Sequence, residues 1–239
     1  MTKIKCEAGQ FKKFVQAVRA MTQESRLHID ADGLSLITVD TANVGMVKLS
    51  LPKSEIKDYQ FNKTKPSTQL VALEWSKISK ALNAAEPQTP VILEFKEHHL
   101  SYTYEEIDGQ IMYLDPNTVR KEPTPPNIVL NTEVEFDGSL LTKIGKIMTG
   151  DKIALIVKEG LATISFEDGM EHKATIILSR TGKGEARSIY SWEYIKNIAK
   201  TLDRAYVTAS FKDDHPIKFH AKIQGIVIEY LLAPRIETG

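Results

Sequence analysis

Trp75-Ser76-Lys77-Ile78 and Trp192-Glu193-Tyr194-Ile195 each open a short helical pattern, and each is followed by strand-like runs, so the chain reads as one unit written twice. Working outward from the two tryptophans, Phe95-Lys96 returns 116 residues later as Phe211-Lys212, His99 returns as His215, and Gly109 as Gly225. The expected fold class is α+β: two similar domains in tandem, each with two helices packed on antiparallel sheets. Domains of this kind can extend head to tail into a ring.

The first half contains a helical pattern from Gln10 to Met21. Phe11, Phe14, Val15, Val18 and Met21 fall on one face, and Lys12, Gln16 and Arg19 on the other. Strand-type runs follow at residues 27–30, 34–39, 44–51 and 69–73, and the Trp75 helix runs to about Ala85, before Pro87. Three more strands fall at residues 91–95, 100–105 and 110–114. The segment from Asp115 to Asn127 holds Pro116, Pro123, Pro125 and Pro126 and reads as an extended linker. The expected division is residues 1–115, a connecting loop at 116–127, and residues 128–239. The second half repeats the order: a strand at 128–136, a helix at 138–148, strands at 153–157, 161–166 and 174–178, a helix at 191–202, and strands at 205–211, 217–221 and 226–232.

At 239 residues each half is long enough to bury its own core. An apolar fraction of 42% and a charged fraction of 26% are those of a soluble globular protein. No apolar run approaches the roughly 18 residues of a membrane span. Cys6 is the only cysteine, which leaves no internal disulfide and agrees with a reducing compartment. Met1 to Cys6 alternates like a strand and lacks a signal-peptide core, so the protein is expected inside the cell.

Net charge is zero, with 31 basic and 31 acidic residues, but the signs are segregated. The four expected helices carry nine basic residues: Lys12, Lys13, Arg19, Lys77, Lys80, Lys143, Lys146, Lys196 and Lys200. They carry only two acidic ones, Glu74 and Glu193, so the helices hold a net +7 and the rest of the chain −7. Each helix hides an apolar stripe and shows a basic one. Solvated lysines on helix faces are one reading of this. The sharper reading is sequence-independent contact with phosphates, because no base-reading motif accompanies the cations.

Motifs for catalysis are poorly supported. There is no His-Glu-x-x-His pair, no Gly-x-Ser-x-Gly elbow and no Cys/His nucleophile pair. Gly182-Lys183-Gly184 lacks the first glycine of a phosphate loop and reads as a turn. His98, His99 and His215 fall at hairpin turns, as does Asp213-Asp214. A small metal-dependent hydrolase using His98, His99 and Asp108 is the rival enzymatic reading. A non-encircling peptide-docking scaffold is the rival among binding proteins. No metal or cofactor is expected.

Three segments carry a family resemblance: Gly33-Leu34-Ser35-Leu36-Ile37-Thr38-Val39-Asp40 with Val44-Gly45-Met46-Val47, the linker after Asp115, and the ending Tyr230-Leu231-Leu232-Ala233-Pro234-Arg235-Ile236-Glu237. Together they resemble the DNA sliding clamps of the proliferating cell nuclear antigen type, archaeal ones above all, over essentially the whole chain. The resemblance implies a ring of three subunits and six similar clamp domains with pseudo-six-fold symmetry. Helices would line a central hole around duplex DNA, inside a continuous outer sheet. It implies that Lys12, Lys13, Arg19, Lys77 and Lys80 face DNA, and the repeat adds Lys143, Lys146, Lys196 and Lys200.

The subunit seam would pair Gln110, Ile111, Met112, Tyr113 and Leu114 with Lys173, Ala174, Thr175, Ile176, Ile177 and Leu178. A pocket for partner peptides bearing a glutamine, an aliphatic residue and two aromatics would use Val39, Val44, Met46, Ile128, Val129, Pro216, Leu231, Leu232, Ala233, Pro234, Arg235 and Ile236. The implied partners are a clamp loader, DNA polymerase, flap nuclease and ligase. The implied location is the cytoplasm, at the nucleoid if archaeal. Family members are commonly acidic overall, whereas this chain is neutral.

Overall fold

The computed structural model describes residues 2–61, 68–168 and 172–236. The chain divides into two compact units, one of residues 1–41, 47–123 and 223–228, the other of residues 42–46, 124–222 and 229–239. Unit one runs β1 (Thr2–Glu7), α1 (Ala8–Arg19), β2 (Glu24–Asp30), β3 (Gly33–Val39), β4 (Gly45–Pro52), a 3-10 turn (Lys53–Glu55), β5 (Asp58–Gln60), β6 (Thr68–Glu74), α2 (Trp75–Ala81), β7 (Pro90–Phe95), β8 (His99–Tyr104) and β9 (Ile107–Met112). Unit two runs β10 (Thr132–Asp137), α3 (Ser139–Ile144), β11 (Lys152–Lys158), β12 (Leu161–Asp168), β13 (His172–Ser179), β14 (Ala186–Ser191), α4 (Trp192–Leu202), β15 (Tyr206–Phe211), β16 (Ile217–Ile223) and β17 (Ile226–Leu232). β4 and β17 each have residues in both units.

The duplication holds strand for strand except for β5, which has no counterpart in unit two. One sheet of unit one has the order β5-β1-β7-β8-β9, matched in unit two by β10-β15-β16-β17. The other has the order β6-β2-β3-β4, matched by β14-β11-β12-β13. Pairing is antiparallel, with Ile4 opposite Leu93 in the first copy and Val134 opposite Ala209 in the second. Alternation sets the faces: Ile226, Ile228, Tyr230 and Leu232 of β17 are buried, and the residues between them are partly exposed. A one-residue slip would turn that whole set outward, which fixes the register.

The helices are docked rather than self-sufficient. Helices as short as α2, with seven residues, and α3, with six, are unstable alone in water, so packing of their apolar faces has to hold them. α1 packs on α2 and α3 on α4. Trp75 is fully buried; its ring centroid lies 5.9 Å from that of Phe14, and its Nε1 donates to Ser25 Oγ at 2.8 Å. Two glycines let the start of the first helix in each unit touch the backbone that follows the second. Gly9 N–H donates to Pro87 O and Gly138 N–H to Ala205 O, both at 2.8 Å. A Cβ on Gly138 would lie 2.0 Å from Leu202 O, so no larger residue fits without moving the helix.

Several boundaries differ from expectation. α2 ends at Ala81 rather than Ala85: the Ala81 carbonyl accepts from Tyr104 Oη at 2.8 Å, and beyond the helix the carbonyls of Asn83, at 3.2 Å, and of Ala85 accept from Lys12 Nζ. α3 ends at Ile144, and the chain tightens there, with Lys146 N–H bonded to Lys143 O at 3.0 Å, so Lys146 lies beyond the helix. β9 ends at Met112. Tyr113 and Leu114 fall outside it because their N–H groups turn to His98 O and Ala72 O. β10 begins at Thr132 rather than Ile128, and the sequence reading missed β5 and β14.

The first part of the connecting segment is bound rather than loose. Arg26 Nη2 donates to Pro116 O at 2.5 Å, Arg120 Nη1 donates to Asp40 O at 2.7 Å, His28 pairs with Glu122, and Val119 is buried.

Cys6 gives a direct probe of this core. It is buried in β1, and burial, then the Glu7 carboxylate beside it, pushes its thiol up to about 12 from the ordinary 9.0. The unfolded chain therefore loses this proton first. The associated stability is intact below pH 9 and drains away as pH rises towards 12. At pH 8 a thiol-reactive dye should leave the native protein unlabelled and label the denatured protein fully. Rapid labelling of the native state would mean that β1 opens locally.

Candidate nucleic-acid interface

The observed helices carry eight basic residues and one acidic residue, Glu193, so the net +7 survives the shortened boundaries. Burial of Trp75 and Ile78 turns Lys77 and Lys80 to solvent, and burial of Trp192, Ile195, Ile198, Ala199 and Leu202 does the same for Lys196 and Lys200. Lys143 is exposed next to the buried Leu141 and Ile144. Arg19 is exposed and donates to Ser79 Oγ at 2.8 Å, which joins the outer faces of α1 and α2. Lys77 pairs with Glu74 at 2.7 Å, and Lys200 reaches Asn197 at 3.4 Å.

Lys13 is half-buried. Lys12 departs from the group: half-buried, it is turned onto the carbonyls beyond α2 and acts as a cap. Lys146 is exposed on the turn after α3. Each unit thus presents a face of long cationic side chains without a base-reading framework, suited to phosphates in general.

The residues expected at a seam lie on sheet edges. β9 is the last strand of its sheet in unit one, and β13 is the last of its sheet in unit two. Gln110, Ile111 and Met112 belong to β9, with Ile111 buried and Met112 58% exposed. Lys173, Ala174, Thr175, Ile176, Ile177 and Leu178 all belong to β13, where Ile177 is 43% exposed and Leu178 is buried. Tyr113 Oη is buried with no hydrogen-bond partner among the described residues, and burial raises its pKa.

Of the residues expected in a peptide pocket, Val39 belongs to unit one and the rest to unit two. Within unit two, Ala233 N–H donates to Val44 O at 2.8 Å, which sets the tail beside the segment leading to Met46. Arg235 N–H donates to Ile189 O at 2.7 Å, and Tyr190 Oη donates at 2.9 Å to the carbonyl of His215, next to Pro216. The tail, β14 and the Pro216 loop therefore form one neighbourhood. Val129 and Ile236 are 82% and 77% exposed, Leu231, Pro234 and Ile128 partly so. Leu232 is fully buried and belongs to the core, so a docked peptide would not reach its side chain.

Asp151, which the sequence reading did not single out, accepts from Arg235 Nη1 at 2.6 Å and from Trp192 N–H at 2.9 Å. No local pattern marks two residues so far apart in sequence. The enzymatic candidates are not brought together. His99 pairs across the sheet with Met112, whereas Asp108 lies opposite Thr103 and accepts from its hydroxyl at 2.6 Å. Among the described residues no group of three or more His, Cys, Asp or Glu could hold a metal ion.

Residues 1–110 match the model of the proliferating cell nuclear antigen N-terminal domain. The chain is 34% identical over 246 aligned positions to the DNA polymerase sliding clamp of Methanosphaerula palustris, covering 97% of each chain. The chain belongs to the PCNA family of DNA polymerase sliding clamps. It is also 33% identical to the sliding clamp of Methanocorpusculum labreanum over the full length of both. Among solved structures, A. fulgidus PCNA with the C-terminal region of FEN-1 bound is similar with a TM-score of 0.92 at 22% identity, covering 100% of both chains. PCNA from Thermococcus kodakaraensis is similar with a TM-score of 0.85 at 19% identity, covering 98% of this chain and 100% of that one. The clamp is a non-enzymatic scaffold, as its family is.

The Asp151–Arg235 pair makes a testable restraint on the clamp's tail. The hydrogen bond from Arg235 holds the Asp151 carboxyl below its ordinary value. A lowered acid pKa means the tie is complete above the usual carboxylate range and is lost as pH falls through the depressed value. Carbon-13 NMR titration should find Asp151 titrating low in the native clamp and returning to the ordinary range in Arg235→Gln. An unchanged titration in the variant would remove the pair from the tail's anchoring.

Proposed function

We propose that three copies of the clamp close into a ring around duplex DNA, each contributing two clamp domains joined by the segment at 116–127, and that the ring tethers replication and repair enzymes. The observation that carries the reading is the repeat of one outward basic helix face in both units. Lys13, Arg19, Lys77 and Lys80 serve in the first domain, and Lys143, Lys196 and Lys200 in the second, with Lys146 extending the surface and Lys12 mainly capping α2. Their contacts are to phosphates, individually weak and independent of sequence. A closed ring cannot leave DNA sideways, so weak contacts suffice and sliding is preserved.

The seam joins β9 of one copy to β13 of the next, which is supported by both being unpaired sheet edges with exposed apolar residues. Within unit two, partner segments dock on Val44, Met46, Ile128, Val129, Pro216, Leu231 and residues 233–236. The FEN-1 segment bound to A. fulgidus PCNA supports this use of the fold. A clamp loader, DNA polymerase, flap nuclease and ligase are the partners, working on the nucleoid of an archaeal cytoplasm.

Reversing Lys77 and Lys80 to Glu should abolish most clamp-dependent DNA synthesis and leave the trimer mass in light scattering unchanged. Normal synthesis by that variant would sink the lining assignment. After loading, the native clamp should stay on circular DNA and run off linear DNA; equal loss from both would rule out encirclement. Ile176→Lys, a charge on the β13 edge, should shift the mass from trimer to monomer. A trimer that tolerates it would move the seam elsewhere.

A further inference from the structure

The outward face of the β14-β11-β12-β13 sheet carries a hollow of about 210 Å³, lying wholly within unit two. The repeat locates its counterpart in unit one residue by residue. Trp75 N–H donates to Gln23 O at 2.8 Å and Trp192 N–H to Asp151 O at 2.9 Å, so β2 matches β11 and β6 matches β14. Arg26, opposite Ala72, then corresponds to Ala154, opposite Ile189, and His28 corresponds to Ile156.

In unit one this place on the sheet is covered by the chain itself. Leu114 N–H donates to Ala72 O at 2.9 Å on the edge strand, Arg26 Nη2 donates to Pro116 O at 2.5 Å, and His28 pairs with Glu122. Around these anchors the segment makes a turn, with Thr118 N–H bonded to Asp115 O at 3.0 Å, and buries Val119. Unit two begins in the same way: Arg235 N–H donates at 2.7 Å to the carbonyl of Ile189, the residue that matches Ala72. Among the described residues the covering stops there. Ile236 is 77% exposed, and Ala154 stands where unit one has the long side chain of Arg26.

The side chains of Ala154, Ile156 and Ile189 give the hollow an aliphatic floor. The carboxylates around it are engaged: Glu167 with Lys173 at 3.5 Å, Asp151 with Arg235 at 2.6 Å, and Asp213 with the Arg187 N–H at 2.6 Å. Apolar contact over this floor is therefore the recognition that the hollow offers. We infer that it docks a strap from a partner protein, built as residues 115–119 are: an Asp-Pro-Asn-Thr turn followed by one apolar side chain. The Asp serves the strap's own turn, as Asp115 does in accepting Asn117 N–H at 2.8 Å, and asks nothing of the rim. The apolar side chain enters the space over Ala154 and Ser165, which face each other across β11 and β12. Because the tail already takes the Ile189 carbonyl, the partner supplies only the part that crosses the sheet. The inference uses unit two's residues and the repeat, and is independent of the ring and of the peptide pocket.

A fluorescent peptide, Ser-Asp-Pro-Asn-Thr-Leu-Ser, tests it with the intact clamp by anisotropy. Saturable binding is expected, about tenfold tighter than for the same peptide with Ser in place of Leu, and unchanged in high salt. Ala154→Arg, which puts the unit-one residue into the hollow, should abolish binding, as should Ser165→Leu from the facing strand. Lys158→Gln, on β11 but outside the hollow, should bind as the native clamp does; thermal melting checks that each variant folds. Absence of saturable binding would overturn the inference, as would equal binding of the Ser peptide or undiminished binding by either folded filling variant. Clamp mass that grows with concentration in light scattering, and is held down by Ala154→Arg, would give the face to a second copy of the chain and overturn the partner assignment.

Discussion

A helix of six or seven residues does not persist alone in water, and that constraint orients the chemistry of this chain. α2 and α3 exist because Trp75, Ile78, Leu141 and Ile144 are buried against neighbouring elements. Once those side chains are inside, Lys77, Lys80 and Lys143 have only the solvent side left. The same force that builds the core therefore aims the cations. No separate scaffold of hydrogen bonds is needed to present them, and none would serve a ligand that must slide. Rigid, well-satisfied donors would favour particular positions along DNA, whereas lysines on flexible stems do not.

The neutral total charge conceals a division of labour. The helices carry the excess of cations, and the remaining 23 basic and 30 acidic residues carry the opposite excess. A uniformly basic chain would hold nucleic acid on any surface. Concentrating the positive sign on the helix faces makes the attraction directional without giving the molecule a net charge.

Much of this was legible in the sequence, for identifiable reasons. Trp75 and Trp192 mark the repeat because each begins a helix whose apolar residues recur at helical spacing, a signal carried by neighbours along the chain. A helical wheel sees only its own helix: it assigns Lys12 to the polar face but cannot see the carbonyls of Asn83 and Ala85 that draw its amine inward. Gly138 and Gly9 gave no warning for the same reason, since what excludes a side chain is backbone from the far end of the unit. Leu232 alternates correctly for a strand. Period-two patterning, however, leaves open whether the inward face is core or pocket, and burial decides for core.

The two sheet edges carry the remaining argument. β9 and β13 end their sheets with backbone groups available for pairing, and β9 is flanked by exposed Ile107 and Met112. An edge of this kind invites aggregation unless something covers it, and a chain that kept two would be selected against as a monomer. One strand from each unit joined edge to edge satisfies both at once. Because the two edges belong to different units of the same chain, such a joint is head to tail and leaves a free edge at each end until the assembly closes. In the proposed ring, closing the assembly pairs those last edges through the same kind of backbone hydrogen bonding that orders the strands within each unit, and the buried hydroxyl of Tyr113 beside β9, unpartnered among the described residues, is a group such a neighbour would satisfy.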